Sequence, residues 1–586
     1  MKTKFLALNL ILVCALLFTG IQPAQASLLK PSPKQAGISY LPGFYDTSVF
    51  LVGKVVVSVI FIESSGNGEN WSQLRKDEVS AKITNGLTLL GGAGGMDASL
   101  NFLPDLRTIT VSQEPITLAS SDTSWMFSAL GTIPGVSGAD ARERAFSFNN
   151  QQRTLYDSDW AFTLFVVDSL NDANGAFSDG VFAFSEIYGP YAVITYDNGS
   201  HGTATLDIAT ARETAHVFGA GYQDDGSCTS TTQLFGYLGV ANSNCVIGGV
   251  DPLNNGIPRL MKDLDVWGDP DQTTREQLGW RDSGGTQFVL DPLDTTIAIT
   301  THLYDPHFTA ASDLRYVGSA QEEPFPHATC SPSDFCYGKD VDINHISDMH
   351  YRADTGVWAN IAAADGAFDS QYEEFSFTAS ISGDGSHSLD IRALHTTHNG
   401  PPLDDLNNPP VYESIFSDSI EKAEQYRGDD AAGPIIVSSV PTNDVRNTLT
   451  DTLSWDDPAP TGCDGGNDLR PGQATVWYQL TSPQDRAISI SADGSSYDTF
   501  MVIYTGTRGN LTQMICLDDV TPSGQPSYIL NAVAGTTYLI EFAAYDGFIQ
   551  TSPQKRVKKI SPAAAGGTLV VSFRTSYATY LPYISR

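Results

Sequence analysis

The sequence predicts a multidomain chain in which one domain of mixed helix and strand, of the α/β or α+β class, is followed by two all-β sandwich or jelly-roll domains. Three observations carry that expectation. The 586 residues exceed what one hydrophobic core usually organises, since domains run to roughly 150 residues. Helical and strand patterns alternate up to about residue 290. Beyond about residue 295 the helical signal nearly vanishes, and short strands of alternating polarity follow one another between Gly/Asp turns.

Taken in order, residues 1–26 read as a secretory signal: Lys2 and Lys4 form a basic start, residues 5–18 are apolar, and Ala24-Gln25-Ala26 is a small-x-small cleavage site. No later stretch approaches the roughly 18 apolar residues of a membrane helix, so a secreted chain, extracellular or at the cell surface and without a transmembrane span, is expected. The mixed domain covers 27–290. In it, 52–62 is a β-branched strand and 71–90 a helix with Val79, Ile83, Leu87 and Leu90 on one stripe. Residues 160–167 and 191–196 are further strands, and 203–218 is an Ala-rich helix stopped by Gly219. A sandwich over 291–399 contains strands at 374–378 and 388–393, with Trp358 as its expected core anchor. Residues 400–439 read as a linker, Pro/Asn/Asp-rich at 400–410 and then acidic and helical near 413–426. A second β domain spans 440–575 with strands at 499–504 and 537–542, and 576–586 is a tail.

Lys and Arg number 33 against 67 Asp and Glu, a formal charge of -34. That balance argues against binding nucleic acid or anionic lipid through charge. Hydrophobic content of 41 % belongs to folded protein, so the acidity does not signal disorder. Of seven cysteines, Cys14 lies in the signal, and the rest fall in neighbouring pairs: Cys228 with Cys245, Cys330 with Cys336, Cys463 with Cys516. One disulfide in each of three regions suits an oxidising compartment. A metal site is the rival reading, although no Cys-x-x-Cys spacing occurs.

Chemistry is concentrated at Arg212-Glu213-Thr214-Ala215-His216 with Gly219 beyond it. In zinc peptidases of the His-Glu-x-x-His type, two imidazoles one helical turn apart hold the metal. The Glu beside the first serves as general base on the bound water. Glu213 and His216 stand at the base and second-ligand positions, and Gly219 stands where the chain turns back. The segment from Tyr196-Asp197-Asn198-Gly199 to Phe218-Gly219-Ala220, then Gly236-Tyr237-Leu238-Gly239, Arg259-Leu260-Met261-Lys262 and Gly279-Trp280-Arg281-Asp282, resembles secreted bacterial metzincin-like zinc metallopeptidases. The resemblance implies a zincin-like α+β fold, a Met-turn at Met261, and an acidic third ligand six residues after His216.

Two positions depart from that pattern. Arg212 stands at the first ligand and Tyr222 at the third. A guanidinium has no lone pair to give and repels a cation. His201 is the only other His before residue 300 and lies about 20 Å from His216 along a helical path. Arg212 is expected to fill the cation's place and to pair with Glu213, Asp224 or Asp225. Calcium is a candidate cofactor in the Asp/Gly loop 168–180, at Asp282-Ser283-Gly284-Gly285, and around Asp498, Asp518 and Asp519. His387, His395 and His398 read as surface or strand-edge residues. The 291–399 region resembles an immunoglobulin- or fibronectin-like module. Val476-Trp477-Tyr478, Cys516-Leu517-Asp518-Asp519 and Ala534-Gly535-Thr536-Thr537-Tyr538 resemble a pre-peptidase C-terminal β-jelly roll. The leading functional reading is a peptidase-family protein with an inactive zinc site that binds extracellular protein or peptide. An active zinc metalloendopeptidase with altered ligands and a structural cell-surface protein are the alternatives.

Overall fold

A computed structural model of the chain describes residues 37–66, 70–95, 97–283, 290–303, 308–328, 340–397, 414–423, 427–449, 451, 457–463, 473–518, 524–545 and 566–576. It is multidomain and mostly β, with several separate sheets. The expected signal at 1–26, Cys330, Cys336, His398, Asp519 and the tail beyond 576 lie outside the described residues.

Five strands form the first sheet: β1 (Lys54–Ser64), β2 (Asn101–Val111), β3 (Trp160–Val167), β4 (Ala183–Ser185) and β5 (Tyr191–Thr195). Their order is β2-β1-β3-β5-β4, parallel throughout except for β4, which closes one edge antiparallel to β5. Parallel neighbours need crossover connections, and these supply α1 (Gln73–Gly94), α2 (Ser124–Leu130) and α3 (Ala141–Tyr156). After β5 come α4 (Leu206–Val217) and, further on, α5 (Gln272–Gln277).

Alternation along β1 sends Val55, Val57, Val59 and Phe61 into a core shared with α1 and α4, and Ile60 and Ile62 into a second core shared with α2 and α3. Both faces of the sheet are therefore covered. The unit is a three-layer arrangement, helices on both faces of a largely parallel sheet with one antiparallel edge strand, because such a sheet must bury both faces. Ser72 caps α1, its Oγ accepting from the Arg75 amide. At Gly86 a Cβ would lie 2.2 Å from the Asp207 carbonyl oxygen, so the missing side chain is what lets α1 approach α4.

The second unit is two sheets packed face to face. One pairs Asp313–Glu323 with Tyr372–Ser380 and Thr296–Leu303; the other pairs Gly385–Thr397 with Asn344–Ala353 and Ser414–Lys422. Leu314, Tyr316, Met349, Leu389, Ile391 and Ile420 fill the space between them. Residues 414–422, expected as a helical bridge inside the 400–439 linker, are thus a strand of the sandwich. Phe416, Asp418, Ile420 and Lys422 lie on its less exposed side. Asp418 accepts from the Tyr316 hydroxyl and Lys422 Nζ donates to Ser312 Oγ, so charged residues occupy inward positions and mask the alternation. Trp358 is not a core anchor. It is half-buried between the guanidinium groups of Arg352 and Arg392, at 4.5 and 4.2 Å.

The third unit again has two sheets, with Gln473–Thr481, Thr499–Thr507 and Thr537–Ala544 at the centre of one and Arg486–Ser491 and Thr568–Thr575 in the other. Disulfides join Cys228 to Cys245 and Cys463 to Cys516. No helix among the described residues is long and apolar enough to cross a membrane.

Candidate functional site

Helix α4 is buried almost along its length, and it carries three ionisable side chains inward: Arg212, Glu213 and His216 are 4 %, 3 % and 0 % exposed. Immediately after it the chain reverses. Gly219 makes the reversal with φ +91°, and a Cβ there would lie 2.4 Å from the Tyr188 ring and 3.2 Å from the Gly236 Cα. The returning Ala220 carbonyl accepts a 2.8 Å bond from His216 Nδ1. A carbonyl can only accept, so Nδ1 carries the proton and Nε2 keeps its lone pair.

The turn brings Tyr222 against His216, ring centroids 3.8 Å apart, and under the Arg212 guanidinium at 5.7 Å. Asn242 Nδ2 holds the Tyr222 carbonyl at 2.7 Å. Of the three carboxylates expected to pair with Arg212, Asp224 takes it: Nη2 donates to Oδ1 at 2.5 Å. Asp225 is occupied elsewhere, accepting from the amides of Gly248 and Gly249. The Cys228–Cys245 disulfide fixes the loop that presents both aspartates. Met261 lies beneath, 1 % exposed in the same core as Ala215 and Phe218, and its carbonyl accepts from the Gln223 amide.

Burial dominates the electrostatics. It pushes Glu213 up to about 7, with Asp224 acting in the same direction and Arg212 and the Ser185 hydroxyl opposing. Burial, reinforced by Arg212, depresses His216 to about 3 against the pull of the Ala220 carbonyl. Tyr222 is driven well above the usual phenol range, first by burial and then by Glu213. Arg212 Nη1, Glu213 Oε2 and His216 Nε2 are buried and make no hydrogen bond. The constellation is thus a guanidinium balanced by Asp224, a neutral imidazole and a carboxyl poised to titrate near neutrality.

The remaining expected residues lie apart. His201 pairs with Asp265. In the 168–180 loop Asp168 chelates Arg75 Nη1 at 2.6 and 2.7 Å, and Asp179 accepts from the Ser120 amide and hydroxyl. His387 pairs with Asp354, whereas His395, expected at a surface or strand edge, is 4 % exposed. The run at 282–285 is only half described. Among the described residues no group of three or more His, Cys, Asp and Glu is arranged to hold a metal ion. Sequence reasoning gave no role to Ser185, whose buried, unpaired hydroxyl on β4 lies near Glu213 and Tyr222, or to Asn242.

No family model matches the chain, and no curated protein matches it. Solved structures with some likeness include a periplasmic inhibitor of g-type lysozyme from Aeromonas hydrophila, at 15 % identity over 24 % of this chain and 96 % of that one, TM-score 0.13. The secreted serine protease VesC from Vibrio cholerae is 6 % identical over 48 % of this chain and 51 % of its own, TM-score 0.13. The CupB6 tip adhesin from Pseudomonas aeruginosa is 9 % identical over 47 % and 96 %, TM-score 0.12. Scores this low carry no argument about fold or function.

Proposed function

We propose that this chain is an exported, non-catalytic relative of metzincin-like zinc peptidases that binds extracellular protein or peptide. The observation that carries the reading is the buried Arg212 guanidinium, paired with the part-exposed Asp224, at the position of the first metal ligand. On this reading the donor set does not fit zinc. One imidazole nitrogen is available, a permanent cation stands where the second would be, and the third position holds a phenol whose deprotonation is opposed by burial. Glu213 keeps its place without a metal-bound water to act on.

Binding then rests on the edge of the first sheet. Among the described residues strand β4 pairs only with β5, and its Ser185 lies near Glu213 and Tyr222. An extended peptide added to that edge would gain main-chain hydrogen bonds and pass beside the polar constellation. Two disulfides agree with export.

Casein hydrolysis with and without a chelator, run beside zinc quantification on the purified chain, tests the reading. The expected result is no chelator-sensitive cleavage and no stoichiometric zinc. One zinc per chain with chelator-sensitive cleavage would establish an active metallopeptidase with altered ligands instead.

A further inference from the structure

At the seam between the first unit and the sandwich, Thr295, Glu322, Asp342, Asn344 and His395 are all withdrawn from water, none more than 4 % exposed. The chain entering Asn344–Ala353 explains how they come together. Val341 and Ile343 belong to the core of the first unit, with the Asp342 amide donating to the Tyr40 carbonyl. Asn344 Nδ2 donates to Thr295 Oγ1 at 2.9 Å and to the Leu293 carbonyl at 3.0 Å. Thr295 Oγ1 in turn donates to Glu322 Oε2 at 3.0 Å, and His395 Nδ1 lies 3.2 Å from Thr295 Oγ1 and 3.5 Å from Glu322 Oε2. Asp342 Oδ1 accepts from the Asn344 amide at 2.8 Å.

Three oxygens in this network accept no hydrogen bond: Glu322 Oε1, Asp342 Oδ2 and Asn344 Oδ1. An unsatisfied buried oxygen is costly, and an unpaired buried carboxylate more so. A dication bound here would neutralise both carboxylates. An amide carbonyl beside two carboxylates is the hard-oxygen chemistry that Ca²⁺ prefers, whereas Mg²⁺ retains several waters.

We propose that Glu322, Asp342 and Asn344 form an oxygen-only Ca²⁺ site that fastens the sandwich to the first unit. The chemistry is independent of the Arg212 site and would hold whether or not the first unit is a peptidase.

The test is equilibrium dialysis of the metal-stripped full chain against Ca²⁺, with thermal unfolding in Ca²⁺, in Mg²⁺ and in neither. Acidic loops elsewhere can take up Ca²⁺, so the comparison is between wild type and variants. Glu322→Gln is expected to remove one bound Ca²⁺ or weaken it by about ten-fold or more, and to shrink the Ca²⁺-dependent rise in Tm. Asp342→Asn, which removes the other carboxylate and keeps an oxygen to accept from the Asn344 amide, is expected to weaken Ca²⁺ binding likewise. Should E322Q fail to fold, D342N decides. A wild-type chain that binds no Ca²⁺, or a Ca²⁺ response unchanged in the variants, overturns the proposal in favour of a carboxyl pair holding a proton.

Discussion

The ion pair between Arg212 and Asp224 places a permanent charge beside the buried Glu213 and His216. Asp224 keeps 27 % of its side chain in contact with solvent, so it can rehydrate if Arg212 is lost. Arg212→Met is therefore expected to cost about 1–3 kcal/mol, below the usual range for breaking a fully buried pair, as read by urea unfolding. Its second effect is diagnostic: without the guanidinium, Glu213 should titrate above its present value of about 7 in a carboxyl NMR titration.

The sign of the pH dependence follows. Glu213 is an acid whose folded pKa is raised, so its contribution to stability is complete below its unfolded value of 4.5 and is lost as pH rises through about 7. His216 is a base whose folded pKa is depressed, so its contribution is present above 6.5 and is lost as pH falls toward about 3. Glu213→Gln should abolish only the first loss. Tm measured from pH 5 to 8 is expected to fall less in E213Q than in wild type, and an identical slope in both would count against a buried, proton-holding Glu213. At this scale the sequence was informative: Arg212, Glu213, His216 and Tyr222 were visible from motif spacing. Ser185 was not, because a three-residue edge strand announces no facing partner.

Among the elements, α4 owes its position to what its neighbours lack. Gly86 admits α1 against it, and Gly219 with Gly236 allows the chain to fold back beneath it. The Cys228–Cys245 bridge then anchors the returning loop that carries Asp224. With its cysteines 17 positions apart, the bridge is expected to contribute about 3 kcal/mol by restricting the unfolded chain. Replacing both cysteines by serine should lower unfolding stability by that order in guanidinium titrations. It should also raise amide exchange at Asp224 and Asp225, while the third unit, which has its own bridge, stays unaffected.

Elements were legible where polarity and period agreed. Helix α4 was expected over 203–218 and runs Leu206–Val217; β3 was expected over 160–167 and occupies those residues. They were illegible where burial enlisted charged groups. The strand Ser414–Lys422 read as a bridge because Asp418 and Lys422 face inward and find partners only in the folded sandwich. The parallel order of the first sheet was likewise invisible, since strand pairing is set by crossovers and not by any local signal.

Across the whole molecule, three units were expected from length and pattern, but their degree of independence is a matter of where the cores lie. The core of the first unit includes Leu290, Leu293, Val341 and Ile343, and the last two come from the chain entering a strand of the sandwich. The Tyr237 hydroxyl donates to the Phe325 carbonyl across the same boundary. The cores of the third unit, by contrast, draw on no residue before Ala431. Calorimetry of the full chain is therefore expected to show the first unit and the sandwich unfolding in one transition and the third unit in another. Truncating the shared apolar contacts should uncouple the first pair. Val341→Ala with Ile343→Ala removes side chains 3 % exposed on each side of Asp342, at about 2–5 kcal/mol for the isoleucine alone. The first transition should then move to lower temperature and split, and the third unit's should not move. A wild-type chain in which the first unit already melts separately from the sandwich would show that the shared core does not couple them.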